Sequence, residues 1–164
     1  MPLFAVTPAV LSVDALSAEV ARWASGGDEG CGAVTTFAGL VRAHHQGRRV
    51  QYLDYEAYEP LALNVFAQIQ QEAAEFWPGV VLGMHHRTGR LEVGDTSIVI
   101  AAGSAHRAPS FEVCRYAIER VKQIAPIWKH EYFEGGAAWV EGAVADPSDV
   151  EARQQARTRA CTSA

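Results

Sequence analysis

An α+β fold, with antiparallel β-hairpins packed against helices, is the architecture this 164-residue sequence predicts. Helical segments alternate with pairs of strand-like segments, whereas a parallel α/β sheet would alternate helices with single strands. The strand-like segments are rich in β-branched and aromatic residues and are bounded by glycine turns. The length suits one core of ordinary size, so the expected organisation is a single domain over residues 1–142 and a polar C-terminal helix or tail over 143–164.

Ser12 is placed to cap a first helix on which Leu16, Val20 and Trp23 recur at helical spacing, until Ser25-Gly26-Gly27-Asp28-Glu29-Gly30 ends it as a linker. Residues 31–41 favour a strand, and Val50 to Tyr58 alternates Leu53, Tyr55 and Ala57 with polar neighbours to make another. Between them runs a basic loop with Arg42, His44, His45, Arg48 and Arg49 and no acid. Its ordinary role is a mobile, solvated hairpin tip. Pro60 suits the first turn of a second helix built on Ala62, Phe66, Ile69, Ala73 and Phe76, and Pro78-Gly79 stops it. Strands are expected at Val80 to His86 and Thr96 to Gly103, with Thr88-Gly89 and Gly94-Asp95 turning the chain around Leu91. A third helix begins near Pro109, buries Cys114, Ala117, Ile118, Val121 and Ala125, and ends at Pro126. Ile127 to Phe133 and Ala137 to Glu141 then form a closing hairpin across Gly135-Gly136. Asp146-Pro147-Ser148 opens a last helix, rich in Ala, Gln and Arg and free to fray; Arg153, Arg157 and Arg159 could reach a neighbouring subunit's pocket, but a solvated tail is the better supported reading.

The net charge of -5 and pI of about 5.6 argue against a general nucleic-acid or membrane-surface binder, which needs a broad basic field. The first 21 residues hold no Lys or Arg, and no apolar run reaches membrane-spanning length, so a cytoplasmic protein is expected. Cys31, Cys114 and Cys161 are odd in number and widely spread, with no CxxC pair and no zinc-ligand spacing. Reduced thiols are expected, Cys31 and Cys114 in packed structural roles, with no disulfide, no metal and no cofactor.

The chain has twelve arginines but two lysines, Lys122 and Lys129, set around Pro126. An ammonium can be tuned to release its proton or to attack a carbonyl, whereas a guanidinium stays charged. The plain alternative is a composition that favours Arg, with two leftover lysines in solvent. Ser104 to Phe111 joins a strand end to a helix start, where free backbone N–H groups, His106 and Arg107 could hold an anion. Equally, Arg107 could pair with a carboxylate and His106 cap the loop. Helical geometry turns Lys122 away from the centre of the Cys114/Ala117/Val121 stripe, beside Arg115 and Glu119. That fits either a solvated Glu119/Lys122 pair or a face covered by a cleft or partner. Lys129 and Glu131 are two apart in a strand and therefore share a face, so Glu131 could hold Lys129 or accept its proton.

Cys31-Gly32-Ala33, Thr36 to Arg42, Leu53-Asp54-Tyr55-Glu56-Ala57-Tyr58, His86-Arg87-Thr88-Gly89-Arg90-Leu91, Ser104-Ala105-His106-Arg107, Lys122, Pro126 to Glu131 and Trp139-Val140 occur in an order and spacing over residues 30–141 that resembles the large, catalytic subunit of molybdopterin synthase. The resemblance implies an α/β-hammerhead type of α+β fold and a homodimer. A small ubiquitin-like sulfur-carrier subunit at each end, presenting a Gly-Gly thiocarboxylate, would complete a heterotetramer. It implies a sulfurtransferase acting on a pterin phosphate, cyclic pyranopterin monophosphate (precursor Z), to build the dithiolene of molybdopterin. Carried over motif by motif, Lys122 and Lys129 are catalytic, and Leu40, Val41, Arg42, His106, Arg107, Lys122, Lys129, His130 and Glu131 line the substrate pocket. His130 stands where the family pattern suggests a basic residue, often arginine, which would make substrate contact there pH-sensitive. Beyond residue 142 the resemblance fades. Two other readings of the residues remain open here: a lysine Schiff-base enzyme, and a binding module that docks a ubiquitin-like protein's tail without turnover.

Overall fold

A computed structural model describes residues 1–27, 30–140, 142–143 and 145–162. Asp28 and Glu29 of the expected linker, and Glu141 at the expected end of the last strand, lie outside the described residues. Along the chain run β1 (Phe4–Thr7), α1 (Val13–Ala24), β2 (Ala33–Leu40), β3 (His44–His45), β4 (Arg48–Ala57), α2 (Glu59–Phe76), β5 (Val81–Arg87), β6 (Gly89–Glu92), β7 (Thr96–Ser104), α3 (Arg107–Ile124), β8 (Ile127–Phe133), β9 (Gly136–Val140) and α4 (Val150–Cys161). The α+β class read from the sequence is the one observed.

The strands form two sheets, one ordered β1-β5-β7-β2 and the other β3-β4-β8-β9 with β6 paired to β4. All pairings are antiparallel except β1 with β5. Strand alternation gives the first sheet two apolar faces. Leu82, Met84, Ile98, Ile100 and Ala102 pack with α2 and α3, while Val99 and Ala101 meet Leu16 and Val20 of α1. Gly83 lets α1 approach closely: a Cβ there would stand 2.7 Å from Leu16 Cδ1 and Val20 Cγ2. Ser12 caps α1 as expected, its hydroxyl accepting from the Ala15 N–H at 3.1 Å. A smaller cluster of Val41, Val50, Leu53 and Leu91 lies at the second sheet.

Three short strands escape the sequence reading. β1 borrows its order from β5 by parallel pairing, β6 from β4, and β3 from the start of β4. The expected hairpin between the strands on either side of the basic loop is corrected too. β2 pairs with β7 in one sheet and β4 with β8 in the other, so residues 41–47 cross between sheets. Backbone bonds from Val41 N–H to the Asp95 carbonyl and from Gly94 N–H to the Val41 carbonyl, each 2.9 Å, anchor that crossing.

The terminal helix is docked, which corrects the frayed, solvated tail. Asp149 caps α4, and Ala152, Ala156 and Ala160 present a buried stripe small enough for close packing on α3. Arg153 Nη2 lies 2.6 Å from Glu75 Oε2 with its guanidinium over Phe76, and Arg159 Nη1 lies 3.0 Å from Glu119 Oε2. No helix among the described residues is long and apolar enough to cross a membrane.

Candidate active site

A cleft of about 740 Å³ opens between the end of β2, the second sheet and the C-terminal end of α3. Leu40, Val41 and Arg42 line it where the chain leaves β2, and Lys122 enters from the last turn of α3. The chain reverses through Ala125 and Pro126, after which Lys129 and Glu131 enter from β8. Both lysines thus line one cleft from two elements. Lys122 is exposed, as its position off the core stripe requires; of the two readings of that face, the Glu119/Lys122 pair is not seen among the described residues, where Glu119 pairs with Arg159.

Glu131 is 3 % exposed, and its carboxylate is shared. Lys129 Nζ lies 3.6 Å from Oε2, while His45 Nδ1 lies 3.0 Å from Oε2 and 3.2 Å from Oε1. Behind this cluster, Tyr55 stands opposite Lys129 in the β4–β8 ladder and packs edge-on against the His86 ring at 5.0 Å between centroids. Burial pushes the Tyr55 phenol up, a bond with Ser97 opposes that, and the Glu131 charge adds to it. Burial holds the His86 imidazole down at about 4, against a smaller opposing effect of its bond to the Arg87 carbonyl. His86 is therefore a neutral ring at neutral pH, one nitrogen engaged by the Arg87 carbonyl at 2.8 Å.

Three of the expected pocket residues lie elsewhere. His130 is adjacent to two inward residues in a strand, so it faces the opposite side, where it stacks on Trp139 with ring centroids 4.5 Å apart. His106 stands at the N-cap position of α3 without a side-chain capping bond, and Arg107 opens the helix, both exposed. Fifteen residues of helix separate Arg107 from Lys122, about 22 Å at 1.5 Å per residue. One chain cannot bring these two groups to the same small substrate. The sequence reading missed His45, Tyr55 and His86 as cleft residues. A histidine inside a basic loop was a weak signal, and nothing local indicates that the loop meets β8.

Outside the cleft, Arg120 is fully buried and donates from Nε and Nη2 to Glu72, each at 2.8 Å. Tyr116 and Gln68 complete the carboxylate's partners at 2.7 and 2.9 Å. Burial alone would raise the Glu72 carboxyl, but the bonds from Arg120, Tyr116 and Gln68 outweigh it and hold it below the usual carboxylate range.

The model of the MoaE protein family matches residues 6–124, well over half of the chain. The chain belongs to the MoaE protein family. Among MoaE relatives, the molybdopterin synthase catalytic subunit of Halalkalibacterium halodurans is 51 % identical over 109 residues, covering 66 % of this chain and 70 % of the relative. That of a Nostoc species is 43 % identical over 139 residues, covering 84 % and 81 %. The crystal structure of molybdopterin synthase from Staphylococcus aureus superimposes with a TM-score of 0.79 at 36 % identity, over 86 % of this chain and 98 % of that one. A complex of subunits 1 and 2 of the molybdopterin-converting factor from Helicobacter pylori matches with a TM-score of 0.69 at 25 % identity, over 85 % and 91 %. The MoaE fold is thus shared with proteins whose names attach it to molybdopterin synthesis.

Proposed function

We propose that this chain is the large, catalytic subunit of a molybdopterin synthase. A small ubiquitin-like sulfur carrier inserts its C-terminal Gly-Gly thiocarboxylate into the cleft, and two sulfurs pass to cyclic pyranopterin monophosphate to form the dithiolene. The observation that carries this reading is the meeting of the chain's two lysines in one cleft, with the near-buried Glu131 at 3.6 Å from Lys129. The names of the relatives support it, as does the two-subunit complex described for the Helicobacter pylori protein.

The thiocarboxylate brings the sulfur, so no cysteine of this chain is needed as a nucleophile. Cys114 suits that view, since burial pushes its thiol up to about 12. The carrier sulfur attacks an oxygen-bearing side-chain carbon of the pterin, the oxygen leaves with a proton, and water then cleaves the acyl link to the carrier. Lys122 stabilises the carrier carboxyl and its developing oxyanion, and Lys129 moves protons as general acid and base. Arg42 supplies charge for the substrate phosphate. His106 and Arg107, too far along α3 to reach this cleft in the same chain, contact substrate from a second copy, in a homodimer that becomes a heterotetramer with a carrier at each end. All the proposed catalytic residues fall within 1–142, and a reducing cytoplasm suits the three free thiols.

Purified chain, thiocarboxylated carrier and precursor Z are mixed, and dithiolene is measured. Lys122→Ala and Lys129→Ala, both still folded and carrier-binding, are expected to lose turnover. Carrier binding with no turnover by the unsubstituted chain would leave a docking module, and wild-type rates from both variants would end the assigned roles.

A further inference from the structure

We propose that His45 is a positioning residue for Lys129, acting through Glu131: by sharing the carboxylate, the imidazole sets how readily Lys129 gives up its proton. This rests on the reading of Lys129 as the acid–base group, and it involves a residue of the basic loop that the sequence motifs leave without a role.

The geometry is a competition for one charge. Among the described residues lining the cleft, Glu131 is the one carboxylate. His45 Nδ1 approaches it at 3.0 and 3.2 Å, closer than the 3.6 Å of Lys129 Nζ. A carboxylate beside an ammonium holds the proton on nitrogen, and a second hydrogen-bond donor on the same carboxylate, charged or neutral, weakens that hold. Glu131 itself is nearly out of water, with 4 % of its side chain exposed against 21 % for His45 and 24 % for Lys129, so its carboxylate has little solvent to turn to besides these two partners. Other charged or titratable groups face them too. Arg48 lies opposite His45 in the β3–β4 ladder, Arg42 precedes the loop, Lys122 enters from α3, and Tyr55 and His86 line the cleft behind. None of these supplies a further negative charge at neutral pH, so the division of Glu131 between His45 and Lys129 decides the balance.

The loop is built to deliver this contact. β3 is two residues long, and the turn after it takes positive φ at Gln46 (49°) and Gly47 (76°), folding His45 back over β4 toward β8. His45 and Glu131 are 86 residues apart in sequence, so the contact ties the crossing between the sheets to the strand that carries Lys129.

The composition provides a direct test. With two lysines in the chain, 13C-lysine labelling gives two ε-carbon signals, which Lys129→Arg assigns. In His45→Ala the Lys129 signal is expected to titrate at higher pH than in the unsubstituted protein, by about 0.5 pH unit or more, while Lys122 stays in place. His45→Gln, which keeps an N–H donor but never charges, should move Lys129 the same way by less, and it serves alone if His45→Ala does not fold. The rising limb of the pH–turnover profile should move with the Lys129 signal. A loop tether without this role would lower turnover by one factor at every pH and move neither lysine. An unmoved Lys129 signal, or an equal displacement of both lysines, overturns the proposal. Because the titration needs no carrier or substrate, its outcome is separate from that of Lys129→Ala turnover, which tests the parent reading.

Discussion

Glu72 and Glu131 are almost equally buried, at 5 % and 3 % exposure, yet their surroundings differ in kind. Glu72 sits between α2 and α3 with every partner in close range: two bonds from Arg120 at 2.8 Å, one from Tyr116 at 2.7 Å and one from Gln68 at 2.9 Å. Glu131 opens onto a cleft and has looser partners, an imidazole at 3.0 Å and an ammonium at 3.6 Å. Arginine does not release its proton in a protein, so the first cluster has one charge state and acts as a lock. Lysine and histidine both can, so the second cluster can exchange protons. In a chain that writes Arg for nearly every cation, the buried carboxylate paired with Arg belongs to the scaffold, and the one paired with Lys opens onto the cleft proposed to carry the chemistry.

The sharpest way to break this contrast is to cut the scaffold pair. Arg120→Ala or Glu72→Ala leaves an unpartnered charge in the α2–α3 interface and should cost about 3–5 kcal/mol of stability in denaturant unfolding. Replacing both, with Arg120→Met and Glu72→Leu, should recover most of that. A single-variant loss within 1 kcal/mol would mean that Glu72 and Arg120 do not lock the helices. The cleft pair should behave in the opposite way. Lys129→Ala should lower turnover by roughly 10²–10⁴-fold while changing unfolding free energy by less than about 1 kcal/mol. Lys129→Arg should stay near the alanine rate, because a guanidinium keeps the charge but not the exchangeable proton.

His86 connects the two regions, being both buried in the scaffold and present at the cleft. The unfolded chain takes up a proton there as pH falls through 6.5, but the folded chain resists until about 4. Stability should therefore be full above 6.5 and decline across that window, by on the order of 3 kcal/mol at its lower end. Urea unfolding at several pH values checks this, and His86→Gln should remove that part of the slope. Glu72 adds a loss at still lower pH: its carboxyl is depressed, so its contribution is present above the ordinary carboxylate range and disappears as pH falls through the depressed value. The smallest effect belongs to the exposed Arg159–Glu119 pair, where Arg159→Ala should cost no more than about 1 kcal/mol in the same assay.

Much of the cleft was legible because it rests on short-range periodicity. Two residues apart in a strand, Lys129 and Glu131 had to share a face, and Lys122 had to leave the core stripe of α3. The same rule, applied to His130, would have turned it away from the cleft; the family pattern suggested otherwise and the strand geometry prevailed. Arg120 carries no signal of its role in the local sequence, since its burial depends on Glu72 arriving from another helix. His106 and Arg107 were correctly placed at a helix start, but sharing a helix with Lys122 also set them about 22 Å from it.

By itself, then, the sequence determined the elements with strong periodicity or caps, the α+β class, and which side chains each long element turns to one face. Those properties follow from repeats of 2 and 3.6 residues and from local capping bonds. Only the tertiary structure decided that β2 and β4 belong to different sheets, that β1, β3 and β6 are ordered, that α4 docks on α3, and that His45 meets Glu131. Each of these depends on which distant segment offers a hydrogen-bonding edge, an apolar face or a charge. A local window of sequence carries no information about such a partner.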